Sequence, residues 1–94
     1  MHTIIKIRIQ FDQAKDAKNT EKHGVSLAAA AGFEWEDAVT WPDQRQDYGE
    51  ERFAGLGYIG DRLFYVVFVA RVEARRIISL RKANQREVKR YAET

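Results

Sequence analysis

The sequence contains no cysteine and one proline, Pro42. The missing cysteine excludes a disulfide scaffold and a cysteine-ligated zinc site, and it fits a reducing compartment. The two histidines, His2 and His23, lie far apart. Neither has an acidic or histidine neighbour at ligand spacing, so no metal constellation is visible. No apolar run approaches the ~20 residues of a membrane-spanning helix. The longest, Leu63 to Ala70, suits a buried strand. The opening MHTIIKIRIQ lacks the basic start, apolar core and small-residue cleavage site of a secretory leader, so the expected location is cytoplasmic, with no membrane contact. A phosphate loop is also missing: Gly55-Leu56-Gly57 has neither the lysine nor the helix start of one. A nucleophilic triad finds no support, since Ser26 reads as a helix cap and Ser79 lies mid-strand between arginines.

What remains is ordinary in bulk and uneven in charge. The chain has 94 residues, 45% apolar and 32% charged, which predicts one globular domain spanning 1–94. Residues 34 to 51 hold seven acids against one base, Arg45. Residues 71 to 94 hold eight bases against three acids. A basic end favours a polyanion, and nucleic acid is the commonest. The competing reading is a solvated helix face.

Periodicity sets out the elements. Ile4 to Gln10 alternates as a half-buried strand. Asp12 caps a helix from Gln13 to about Lys22, stopped by Gly24, with Ala14, Ala17 and Thr20 as its inward side and Lys15, Lys18 and Lys22 as a basic ridge. Ser26 caps a second short helix reaching Phe33, with Leu27, Ala30, Ala31 and Phe33 inward. Ala38 to Trp41 predicts a short strand ended by Pro42, and Asp43 to Gly49 an exposed loop. Arg52 to Ile59 is a strand whose Gly55 and Gly57 suggest a bulge or the close approach of another element. Gly60-Asp61 is a hairpin turn, with Gly60 at positive φ. Arg62 to Ala70 lacks alternation and should be central, covered on both faces. A turn near Val72-Glu73 leads to a strand in which Arg76, Ile78 and Leu80 would share one face, and Ile77, Ser79 and Arg81 the other. Asn84 and Glu87 form a capping-box signature for a last, basic helix. The fold class is α+β: an antiparallel sheet meander packed with two N-terminal helices and one C-terminal helix, in the order β-α-α-β-β-β-β-α.

The chemistry this leaves is an arginine, lysine and aromatic set, which suits RNA cleavage without a metal. A 2′-hydroxyl attacks the adjacent phosphorus, a base takes its proton, an acid protonates the leaving oxygen and cations stabilise the phosphorane. Arg52, Arg76 and Arg81 lie on adjacent predicted strands and could converge, their forks matching phosphate oxygens. Glu51, His23 or Lys22 could move protons, and Tyr91 or Trp41 could stack on a base. Each has a structural rival. His23 is a favoured cation at a helix C-terminus, Arg52 a cross-strand ion pair, Arg76 an edge residue in solvent and Tyr91 a packing residue. Lys15, Lys18 and Lys22 read most simply as a solvated face.

Three blocks of residues then resemble a family. Phe11-Asp12, Lys15, Asn19 and Lys22-His23-Gly24-Val25-Ser26 look like the start F-x-W-D-x-x-K-x-x-x-N-x-x-K-H-G-V-S. Glu50-Glu51-Arg52 with Gly57 follows. Arg76-Ile77-Ile78-Ser79-Leu80-Arg81-Lys82-Ala83, with Arg86-Glu87 and Arg90-Tyr91, looks like R-I-I-S-A-R-K-A and its R-E-x-x-x-Y tail. This resembles the BrnT toxins of bacterial type II toxin–antitoxin systems, over about residues 11 to 91. The chain departs from the pattern at Phe11 (for Trp), at Leu80 (for a small residue) and at Ala28 and Ala29, which replace acids and remove the second helix's capping box.

The resemblance implies a RelE-like fold and an RNA-cleaving toxin that slows translation, with no cofactor. It implies a BrnA-like antitoxin with a DNA-binding domain, in a heterotetramer of two toxins and two antitoxins that meets operator DNA only through the antitoxin. The implied site draws on Lys22, His23, Glu51, Arg52, Arg76 and Arg81, with Lys82, Arg86, Arg90 and Tyr91 contacting RNA. The alternative is a non-catalytic nucleic-acid or antitoxin-binding module acting in operon autoregulation.

Overall fold

The computed structural model describes residues 7–45 and 49–94. Five strands form one sheet: β1 (Arg8–Gln10), β2 (Val39–Asp43), β3 (Arg52–Ile59), β4 (Arg62–Arg71) and β5 (Ala74–Lys82). Their spatial order is β1-β5-β4-β3-β2, so the apolar β4 is central, as its lack of alternation requires. Consecutive hairpins make β2 to β5 antiparallel. β1 joins the far side of β5 in parallel, so the sheet is mixed rather than the expected pure meander. Alternation in β1 fixes which side chains face inward and is silent on which edge the strand joins. Residues Ile4 to Lys6 of the expected first strand lie outside the described residues.

Helix α1 (Gln13–His23) starts on Asp12, whose carboxylate accepts from Ala14 N–H, and stops at Gly24, at φ 72°. Its inward side is not the expected alanines. Ala14 and Ala17 are exposed, while Asp16 is half-buried and Asn19 buried. The reason is hydrogen bonding. Asn19 donates from Nδ2 to the carbonyls of Leu80 and Val25 at 2.8 and 2.9 Å and accepts from Leu80 N–H at 3.1 Å. Its amide thereby takes the place of a neighbouring strand beside β5, beyond the three residues that β1 covers.

The second helix is a 3-10 helix, Leu27–Gly32, capped by Ser26. Asp16 supplies the acid this cap lacks: its Oδ1 accepts from Ser26 Oγ and Leu27 N–H, both at 2.8 Å. Leu27, Ala30 and Phe33 are buried, but Ala31 is exposed. A further 3-10 turn, Trp35–Asp37, precedes β2. β2 continues through Pro42 to Asp43, where an edge position spares proline a ladder hydrogen bond. Asp43 is buried rather than looped into solvent.

Two clusters sandwich the sheet. On one face Leu27, Ala30 and Phe33 pack on Phe64, Val66, Phe68, Ile77 and Leu80. A Cβ on Gly57 would lie 2.5 Å from the Phe33 ring, which accounts for the glycine by close approach. On the other face Leu56, Leu63 and Ala83 gather Trp41, Tyr58, Tyr65 and Tyr91. There the last helix, α2 (Gln85–Ala92), docks behind a complete Asn84–Glu87 capping box.

A cationic and aromatic face

The last strand contains a bulge. Ser79 pairs with Val67 and Ile77 with Phe68, which leaves Ile78 as the extra residue. The expected grouping of Arg76, Ile78 and Leu80 is therefore wrong. Arg76, Ser79 and Arg81 oppose Val69, Val67 and Tyr65, alternate residues of β4, and share its α2-bearing face. Ile77 and Leu80 turn into the core. The bulge carries both arginines to one face, although five positions separate them.

Arg81 is the centre of this face. Its Nη1 and Nη2 donate to the two carboxylate oxygens of Glu87, both at 2.8 Å, and its guanidinium lies 4.3 Å from the Tyr65 ring centroid. A bidentate fork and a stacked ring fix the group in direction as well as place. The pair holds the Glu87 carboxyl below the usual range, against the upward push of burial and with help from the Asn84 N–H. It raises the Arg81 pKa, against burial and, less, Arg45. Beside it Trp41 meets Tyr65 edge-on at 6.1 Å, and Arg90 covers the Trp41 ring at 4.1 Å. Two cation–aromatic stacks thus stand side by side.

His23, the last residue of α1, lies within electrostatic range of Arg81. Partial burial and the nearby charges of Lys22 and then Arg81 hold its pKa below that of an ordinary imidazole. It is therefore largely neutral at physiological pH and able to accept a proton. Arg45 reaches back over Asp43 as a bidentate pair, both contacts at 2.8 Å.

The expected site residues divide into groups. His23 and Lys22 adjoin on α1 within electrostatic range of Arg81, while Arg90 covers the Trp41 ring beside the Tyr65 ring that Arg81 covers. Arg52 and Arg76 share the face but lie toward its other end. Arg52 opposes Asp43, about 13 Å of strand from Leu56 in the Arg81 row. The three arginines do not converge on one point. Glu51 is exposed ahead of β3, and among the described residues no hydrogen bond or ion pair joins it to the cluster. Lys82 opposes Phe64 and points to the other face of the sheet from Arg81. Arg86 is exposed on α2. Tyr91 anchors α2: its hydroxyl donates to Asp37 C=O at 3.2 Å and its ring packs edge-on against Tyr58 at 5.5 Å.

Sequence reasoning missed Tyr65, Arg45 and the second role of Glu87. Glu87 was legible as a cap; its grip on Arg81 depends on how strand meets helix. Another groove, of about 330 Å³, lies on the opposite face between Trp35, Phe53, Phe68 and Arg75. It is mainly apolar. Arg75 there stacks at 5.8 Å over both Trp35 and Phe68 and donates to Ala74 C=O.

A small mixed sheet that gathers arginines and aromatics on one face defines a class of α+β proteins with a cationic, aromatic surface. The family described as "Ribonuclease toxin, BrnT, of type II toxin-antitoxin system" matches residues 11–87, and the chain belongs to it. The crystal structure of the Brucella abortus ribonuclease toxin BrnT is similar at 27% identity and a TM-score of 0.64, covering 84% of this chain and 99% of that one. No curated protein matches the chain. Membership of a type II toxin–antitoxin family implies an antitoxin partner. Among the described residues, no helix is long and apolar enough to cross a membrane.

Proposed function

We propose that this chain is the endoribonuclease toxin of a type II pair, cutting RNA without a metal ion at the face around Arg81. The observation that carries the reading is the fixed Arg81 guanidinium, held by Glu87 and Tyr65, within electrostatic range of His23, whose pKa is lowered by burial and then by Lys22 and Arg81. His23 takes the proton of a ribose 2′-hydroxyl as the oxygen attacks phosphorus. Arg81 and Lys22 stabilise the charge gathering on the phosphorane oxygens. The P–O5′ bond breaks and the leaving oxygen takes a proton from water, giving a 2′,3′-cyclic phosphate and a 5′-hydroxyl. Trp41, under Arg90, offers a ring for an unstacked base. Glu87 and Asp43, two acids of this face, are held by arginines. In the cytoplasm a DNA-binding antitoxin neutralises the toxin, two of each forming the complex, and brings it to operator DNA.

A second reading, a binding module without catalysis, is favoured by one observation. Glu87 takes one N–H from each terminal nitrogen of Arg81, so part of the fork is already committed within the protein.

The test is cleavage of a defined single-stranded RNA in EDTA by wild type, Arg81→Ala and His23→Ala, with thermal melts as the folding control. Cleavage by wild type to cyclic-phosphate ends, lost in both folded variants, supports the nuclease. Cutting that requires added metal overturns metal independence. Binding without cutting or growth arrest in cells favours the binding module.

A further inference from the structure

The lysine ridge of α1 is not simply a solvated face. Lys15, Lys18 and Lys22 wall a groove of about 290 Å³ whose other side is Ile78 and Ser79 of β5, and which ends at His23. The bulge opens it. Ile78 is the residue that the β4 ladder leaves out, and β1 pairs only with Ala74 to Arg76, so among the described residues no strand covers β5 beyond that point. Asn19 then holds α1 beside the uncovered edge through Leu80. The groove therefore has a fixed helix for one wall and a half-buried isoleucine in its floor.

The three lysines lie on one helix face at spacings of three and four residues, about 4.5 and 6 Å along the axis. From Lys15 to His23 the helix rises about 12 Å. Among the described residues, no ion pair engages any of the three lysine ammonium groups. A row of ammonium groups with one apolar residue beneath suits a flexible polyanion: charges for successive phosphates, and an isoleucine for a ribose or base edge. A single RNA strand has this chemistry, and the groove ends at the histidine of the proposed site.

We infer that this groove is a second binding site, a track that holds the phosphodiester backbone of single-stranded RNA on the way to or from the cleavage site. The inference rests on the nuclease reading for its purpose but is tested by binding alone. Lys15 and Lys18 contact phosphates outside the scissile one and carry no sequence preference. Their contribution lies in affinity for longer strands and in its salt dependence.

The experiment uses the full chain and its Lys15→Gln/Lys18→Gln variant, both at surface positions of α1. The probe is a fluorescent, uncleavable 2′-O-methyl oligoribonucleotide of about a dozen nucleotides, titrated across a salt series. The variant should bind about tenfold more weakly at low salt, with a log–log salt slope shallower by about 1.4, the value for two lost phosphate contacts on a single strand. With cleavable RNA, KM for the long strand should rise while kcat, and turnover of a dinucleotide too short to reach Lys18, stay at wild-type values. Equal affinity and equal salt slope for the two proteins would overturn the track, as would failure of the wild type to bind the probe. Loss of binding in the variant, with a wild type that cuts no RNA, would leave the track standing and refute the nuclease.

Discussion

Asn19 and Leu80 are joined by two hydrogen bonds across 61 positions of sequence. One side-chain amide satisfies both backbone groups of a fully buried residue at an uncovered strand edge. Asn19→Ala leaves the Leu80 N–H and C=O and the Val25 C=O without that partner. It should destabilise the fold by about 2–4 kcal/mol. Asn19→Asp keeps the shape but turns a charged oxygen toward two carbonyls, so it should be no better at neutral pH and partly recover in acid. Urea unfolding at two pH values checks both.

Gly57 lies under the Phe33 ring, with no room for a methyl group. Gly57→Ala should cost about 1–3 kcal/mol through overpacking. Adding Phe33→Leu should recover part of the loss, because the obstruction is the ring and not the backbone. A double-mutant cycle by chemical denaturation reads the coupling, and additive losses would refute the contact.

Glu87 is held in its charged form chiefly by Arg81. Its folded pKa lies below the unfolded one, so its contribution is fully present above the unfolded value and is lost as pH falls through the folded value. Thermal melts in acid should therefore show wild type losing stability faster than Glu87→Gln, which keeps the cap oxygen but not the charge. The two curves should converge at the lowest pH.

His23 is depressed by partial burial, then by Lys22 and Arg81. Removing either cation removes a repulsion felt by the imidazolium, so its pKa should rise in Lys22→Gln and in Arg81→Gln. An NMR titration of the ring protons measures this directly. If His23 is the base, the acid limb of the wild-type kcat/KM profile should fall at the pKa that the titration gives for its ring.

Much of the architecture was legible because local rules decide it. Asp12, Gly24, Asn84 and Gly60 act through their own backbone neighbours, and the structure uses each as its chemistry predicts. The apolar run of β4 could only be central. Local rules failed where a distant group supplied the answer. Ala14 and Ala17 were the apolar choice for the inner side of α1, yet Asn19 and Asp16 face inward because β5 and the second helix offer them hydrogen bonds.

The site divides in the same way. Arg81, His23 and Lys22 were legible as candidates from residue type and from the blocks that resemble BrnT toxins. Their grouping was not: a strict two-residue period assigns Arg76 and Arg81 to opposite faces, and the bulge at Ile78 reverses that. Tyr65 and Glu87 were read as strand and cap, and each gains its second role by meeting one guanidinium.

The sequence alone determined the element types, the central strand, the cationic end of the chain and the family, since these depend on residue chemistry and short-range spacing. Only the tertiary structure decided the parallel edge strand, the inward polar side of α1, the single face that carries the arginines and the groove beside Ile78. Each of those depends on which backbone hydrogen bonds remain to be satisfied once the sheet has formed, and that is a property of the assembled sheet rather than of any one segment.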